Sequence, residues 1–137
     1  MRRKIETISA TKHPPITITR SDYLRLLDLA WAARARSPEV GEFLLEEIDR
    51  AQIVEPQAIP RSVVTMGAMV DFRDDHTGQE RRVTLVYPGE QDIELGRISV
   101  LTPIGAALIG LAEGQSIAFR TPAGEERSLT VLRVTQP

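Results

Sequence analysis

Cysteine is absent from the 137-residue chain, which excludes a disulfide framework, a thiolate metal site and a cysteine nucleophile together. Aromatic residues make up 4% of it, too few to stack successive nucleobases along a platform. No apolar run approaches the ~18 residues that a membrane span requires, so no membrane partner is expected. Residues Met1 to Ala10 carry charges but no apolar segment, so they do not read as a secretory signal. A reducing, cytoplasmic location is the default expectation. Glycine-rich phosphate cradles are also missing: Gly105, Gly110 and Gly114 read as parts of a helix, its end and a turn.

What remains is an ordinary globular composition, 42% hydrophobic and 26% charged, at a length suited to one domain or a small domain with an appendage. Seventeen Lys and Arg against 19 Asp and Glu give a net charge of −2. The distribution is uneven. Residues 1–20 hold five cations (Arg2, Arg3, Lys4, Lys12 and Arg20) against Glu6, leaving twelve cations against eighteen acids in the rest. So acidic a body has no general attraction to phosphate backbones, and no direct sequence-specific nucleic-acid binding is expected. Residues 1–15 are expected to form a flexible basic tail.

The patterning changes across Val54-Glu55-Pro56-Gln57-Ala58-Ile59-Pro60. Two prolines cannot sit inside a regular helix here, so residues 54–60 read as a linker. Residues 16–53 before it are helical in pattern. Ile16-Thr17-Ile18 is a short extended stretch, and Thr19 or Ser21 can cap a helix beginning just after it. From Asp22, an apolar stripe of Tyr23, Leu24, Leu26, Leu27, Ala30, Trp31 and Ala35 predicts a helix closed by Arg34-Ala35-Arg36. Ser37-Pro38-Glu39 is a fresh start, with Ser as cap and Pro at the first helical position. Its stripe is Val40, Phe43 or Leu44, Ile48 and Ala51. Two helices this close in sequence must run antiparallel as a hairpin.

Residues 61–137 alternate instead. Strands are expected at Met69–Arg73, Arg81–Tyr87, Arg97–Leu101, Ser116–Arg120 and Ser128–Val134, with a turn at Thr121–Glu125. Thr102-Pro103-Ile104-Gly105-Ala106-Ala107-Leu108-Ile109-Gly110 brackets one short helix, with Thr as cap and Gly as terminator. The fold class is α+β: a short N-terminal antiparallel helical hairpin, then a mostly antiparallel sheet domain with one short helix. Asp74-Asp75-His76 could hold a metal loosely, but reads as a solvated hairpin tip. His13 precedes Pro14-Pro15 in the tail. No catalytic residue, metal or cofactor is therefore assigned.

At the short helix the chain resembles a known family. Ile98 to Leu111, then Glu113-Gly114-Gln115 and Thr121-Pro122-Ala123-Gly124, are similar to the C-terminal domain of the Gre transcript-cleavage factors. Val63-Val64-Thr65-Met66, Val70-Asp71-Phe72, Thr84-Leu85-Val86-Tyr87-Pro88 and Glu47-Ile48-Asp49-Arg50-Ala51 resemble the Rnk branch, the regulators of nucleoside diphosphate kinase. The resemblance spans residues 16–135 and implies an FKBP-like sheet domain, a shortened N-terminal coiled coil, and RNA polymerase as partner at the rim of its secondary channel. In Gre factors an Asp-Ser-Pro corner contacts polymerase. Leu101, Thr102 and Pro103 stand at the matching positions here, with Leu101 in place of the acid. The hairpin tip, with Arg36, Ser37, Glu39 and Glu42, lacks the closely grouped acidic motif that the cleavage factors carry on their arm. Two carboxylates flanked by Arg34 and Arg36 are a poor magnesium site, because a hard cation wants uncompensated oxygen ligands. The expectation is a non-enzymatic regulator that competes with Gre factors. The alternatives are an active cleavage factor and a regulator of nucleoside diphosphate kinase. Prolyl isomerase activity, which an FKBP-like fold raises, would need an aromatic pocket; Phe72 and Phe119 read instead as core.

Overall fold

Helix entry at the N-terminus is set by one hydroxyl. Thr19 Oγ1 accepts the Asp22 backbone N–H at 3.2 Å and starts α1 (Arg20–Ala33), two residues earlier than the apolar stripe suggested. The computed structural model describes residues 13–137, so the expected basic tail up to Lys12 lies outside the described residues. The tail's last residues are tied down: the Arg50 guanidinium donates to the Pro14 carbonyl, and His13 Nδ1 lies 3.3 Å from the buried Glu47 carboxylate.

The second helix, α2 (Pro38–Asp49), begins where expected, with Pro38 in its first turn. Ser37 holds the cap position but makes no side-chain cap bond. The two helices approach closely at Gly41: a Cβ there would lie 2.8 Å from the Arg34 backbone nitrogen and 3.0 Å from the Ala30 carbonyl oxygen. Small residues on the inner face follow from that approach. Leu26, Ala30 and Ala33 are the buried positions of α1, whereas Leu24 and Trp31 are 58% and 56% exposed. At about 100° per residue, Leu24 and Trp31 fall on the opposite side, so the expected stripe was too wide.

Flanking the hairpin, β1 (Thr17–Thr19) and β2 (Gln52–Val54) pair in parallel as a two-stranded sheet. Val54, assigned to the linker by the prolines, is the last residue of β2. The larger sheet contains β3 (Met69–Asp74), β4 (Glu80–Val86), β5 (Arg97–Ser99), β6 (Ser116–Arg120) and β7 (Glu126–Thr135) in the order β5-β4-β3-β7-β6. It is antiparallel except for β4–β5. Between β5 and β6 lies α3 (Pro103–Leu108), the short helix the Thr-Pro cap announced. The β3–β7 register shifts after Asp71, with Leu132 left over on β7, a bulge that curls the sheet.

The change from helix to strand falls at the proline segment, but the apolar core does not stop there. Ile16, Ile18, Leu26, Ala30, Leu44 and Ile48 join Val70, Phe72, Leu85, Leu108, Ile117, Leu129 and Val131 in one buried cluster. At its seam, Thr17 N–H donates to the Gly110 carbonyl at 3.1 Å and Gly110 N–H to the Val64 carbonyl at 2.9 Å. Gly110 has φ +81°, and a Cβ there would sit 2.9 Å from Ile16 Cβ. A fragment beginning near Arg61 would therefore expose the surface these hairpin residues cover.

Close packing of α3 on the strand before it depends on Gly105, where an added Cβ would lie 2.1 Å from the Ser99 carbonyl oxygen. Alanine is favoured over glycine inside a free helix by ~1 kcal/mol. Here the overlap should reverse that sign, and Gly105→Ala should destabilise the protein by ~1–3 kcal/mol. A fall in the urea unfolding midpoint with unchanged slope checks this. A raised midpoint would show that helix and strand stand further apart.

Candidate functional site

The turn from β5 into α3 is held by its own side chains. Ser99 Oγ accepts the Leu101 N–H at 3.0 Å; Thr102 Oγ1 donates to the Ser99 carbonyl at 2.8 Å and accepts the Gly105 N–H at 3.0 Å. Pro103 then fills the first helical turn, where its missing N–H costs nothing. Leu101, Thr102 and Pro103 thus form a stiff, half-buried corner, and Leu101 leans on the core.

Facing this corner across an open cleft is the start of α2. Ser37, Pro38, Glu39, Val40 and Phe43 line one wall and Leu101, Thr102, Pro103 and Ala106 another. The end of β6 closes the third side with Phe119, Arg120, Thr121 and Pro122. The cleft holds about 420 Å³, within the range of a binding pocket. Its lining is mostly apolar, with Glu39 and Arg120 exposed at the rims.

Two sets of residues singled out separately in the sequence therefore meet: the corner (Leu101, Thr102, Pro103) and part of the hairpin tip (Ser37, Glu39). Arg36 and Glu42 do not line the cleft. Glu42 lies 3.8 Å from Arg34, so its charge is partly compensated. Sequence reasoning missed Phe43 and Arg120. Phe119 read as core, and it is both 8% exposed and part of the lining. The only signal available in advance was the Thr121-Pro122 turn beside it.

A second constellation fixes how the hairpin sits. The Tyr87 hydroxyl donates to Asp22 Oδ1 at 3.0 Å, Asp22 Oδ2 accepts the Met66 N–H at 3.4 Å, and the Arg25 guanidinium lies 3.6 Å from the Tyr87 ring centroid. Burial, and then the Asp22 charge and hydrogen bond, hold the Tyr87 phenol well above its ordinary pKa.

Asp74 and Asp75 are committed to the sheet. Asp74 Oδ1 accepts the His76 and Thr77 N–H groups at 2.8 and 3.3 Å. Asp75 accepts from Ser128 Oγ at 2.8 Å, Thr130 Oγ1 at 2.9 Å and Arg73 Nε at 3.0 Å. Burial opposes ionisation of Asp75, but these donors outweigh it and hold the carboxyl below its usual range. Among the described residues no group of three or more metal-ligating side chains assembles, and no helix is long and apolar enough to cross a membrane.

Comparison with known proteins agrees with this architecture. Residues 59–136 match the family described as "Transcription elongation factor, GreA/GreB, C-term", and residues 14–54 match "Rnk N-terminus". The regulator of nucleoside diphosphate kinase of Escherichia coli K12 is 41% identical over 95 residues, 69% of this chain and 70% of that protein. The elongation factor GreA of Syntrophobacter fumaroxidans is 37% identical over 91 residues, 66% of this chain but 58% of that protein. Among solved structures, a GreA/GreB elongation factor from Nitrosomonas europaea superposes with a TM-score of 0.69 at 37% identity, covering 88% of this chain and 98% of the other.

Tyr87→Phe removes the hydrogen bond to Asp22 and should cost ~1–2 kcal/mol at neutral pH. Because the folded phenol holds its proton above the unfolded value of ~10, stability is fully present below that pH and falls as pH rises beyond it. With two lysines in the chain, few other groups titrate there. Urea midpoints measured from pH 8 to 11 should decline for the parent and flatten for Tyr87→Phe.

Proposed function

The chain belongs to the GreA/GreB C-terminal family, in its Rnk branch, and on that premise we propose that it is a non-enzymatic transcription regulator. It docks on RNA polymerase near the secondary channel through Leu101, Thr102 and Pro103, and competes with Gre factors without stimulating transcript cleavage. The observation that carries this reading is the corner itself. At the positions matching the family's contact triplet stand three residues stiffened by the Ser99 and Thr102 hydrogen bonds, and they open onto an apolar cleft.

The hairpin supports the second half of the reading. Helices of 14 and 12 residues are roughly 21 and 18 Å long at 1.5 Å per residue. Stimulated cleavage requires carboxylates delivered to within ~2.1 Å of a magnesium ion deep in the enzyme. Of the tip acids, Glu42 is partly compensated by Arg34 at 3.8 Å, and Glu39 stands on the cleft wall beside the sheet domain. A short hairpin packed against its own sheet domain is poorly suited to carry a metal into a channel.

Binding to polymerase core enzyme, measured by pull-down and titration, should weaken at least tenfold (about 1.4 kcal/mol) in Leu101→Arg/Pro103→Ala. In a stalled elongation complex the parent should release no cleavage product, and should reduce cleavage by added GreA as its concentration rises. Robust cleavage that disappears when Glu39 and Glu42 become Ala would instead establish an active cleavage factor.

A further inference from the structure

We infer that the polymerase-docking surface is composite, with the hairpin tip supplying one wall of it through Val40, Phe43 and Glu39. This rests on the docking reading above and adds a role for the hairpin that the corner alone does not give. The occupant is a polymerase segment that seats apolar side chains between hairpin and sheet. It presents a cation on the Glu39 side and an anion on the Arg120 side.

Four observations carry the inference. The cleft is bounded by three separate elements, and about 420 Å³ between them admits a few side chains. The apolar lining comes from both halves: Val40 and Phe43 from α2, Leu101, Pro103 and Phe119 from the sheet domain. Glu39 and Arg120 at the rims form no ion pair with any described residue. They are opposite charges on two different sides of the cleft, so an occupant of complementary polarity is oriented as well as held. Finally, the hairpin is anchored at its far end by the Asp22–Tyr87 bond and the Thr17–Gly110 seam, with shared core between.

The inference changes how competition works. A hairpin that forms the wall of the docking cleft cannot also swing away to reach into the channel as an arm. Displacement of a Gre factor then comes from occupying the same polymerase segment.

The test is polymerase titration with the full chain and surface variants. Glu39→Lys and Arg120→Glu change exposed rim residues; losing the acid in the first turn of α2 and the cation opposite Glu126 should lower the urea midpoint slightly, and each variant should still unfold in one cooperative transition. Each should weaken binding about five- to tenfold. Val40→Glu, which charges the apolar wall, should weaken it more. Asp49→Lys and Arg97→Glu make the same charge changes outside the cleft and should bind within twofold of the parent. If Leu101→Arg/Pro103→Ala loses binding while Glu39→Lys, Arg120→Glu and Val40→Glu bind like the parent, the corner docks alone and the composite surface is wrong. If the parent shows no binding to polymerase, the docking reading itself fails.

Discussion

The contact on which this structure depends is the burial of the hairpin's inner face against α3 and the sheet. Leu26, Leu44 and Ile48 are each 2% exposed or less, and full burial of such a side chain stabilises by ~1.5–3 kcal/mol. The Tyr87–Asp22 bond and the Gly110 seam contribute less individually, ~1 kcal/mol for an ordinary hydrogen bond. Apolar burial therefore holds the hairpin in place, while the polar contacts and the close approach of Ile16 to Gly110 fix how it sits on the sheet domain. Gly41, Gly105 and Gly110 mark the three closest approaches, each with backbone or Cβ atoms within 3.0 Å of where a side chain would begin.

That placement creates the cleft. With the hairpin laid over the sheet domain, the start of α2 stands opposite the β5–α3 corner, and residues more than fifty positions apart share one surface. In this account the hairpin has exchanged the role of a reaching arm for that of a wall. The exchange is consistent with its length and with the partly compensated acid at its tip. The same core explains why 54–60 acts as a crossing in the chain without dividing the apolar interior.

Much of this was legible in the sequence, and the parts that were not have physical reasons. The strands β3, β4, β6 and β7 announced themselves by alternation, and α3 by its Thr-Pro cap and terminal glycine, because these signals are local. The three-residue parallel pairing of β1 with β2 joins segments about 35 residues apart and leaves no periodic trace. The exposure of Leu24 and Trp31 was hidden for a related reason: spacing shows which residues share a helix face, but not which face meets a partner. For the site, Leu101, Thr102 and Pro103 came from resemblance to a family motif, and Ser37 and Glu39 from cap chemistry. Their meeting, and the inclusion of Phe43 and Arg120, depend on tertiary packing that no local pattern encodes.

The absence of cysteine makes the central claim directly measurable. Spin labels on Cys introduced at Ala35, beside the hairpin tip, and at Ala123, in the β6–β7 turn, would report the distance across the mouth of the cleft by double electron–electron resonance. Both positions are exposed. A hairpin that serves as a fixed wall predicts one narrow distance distribution in the free protein, retained when polymerase core enzyme is added in excess. A broad distribution in the free protein, or a shift to markedly longer distances on binding, would contradict it and restore the hairpin as a mobile arm.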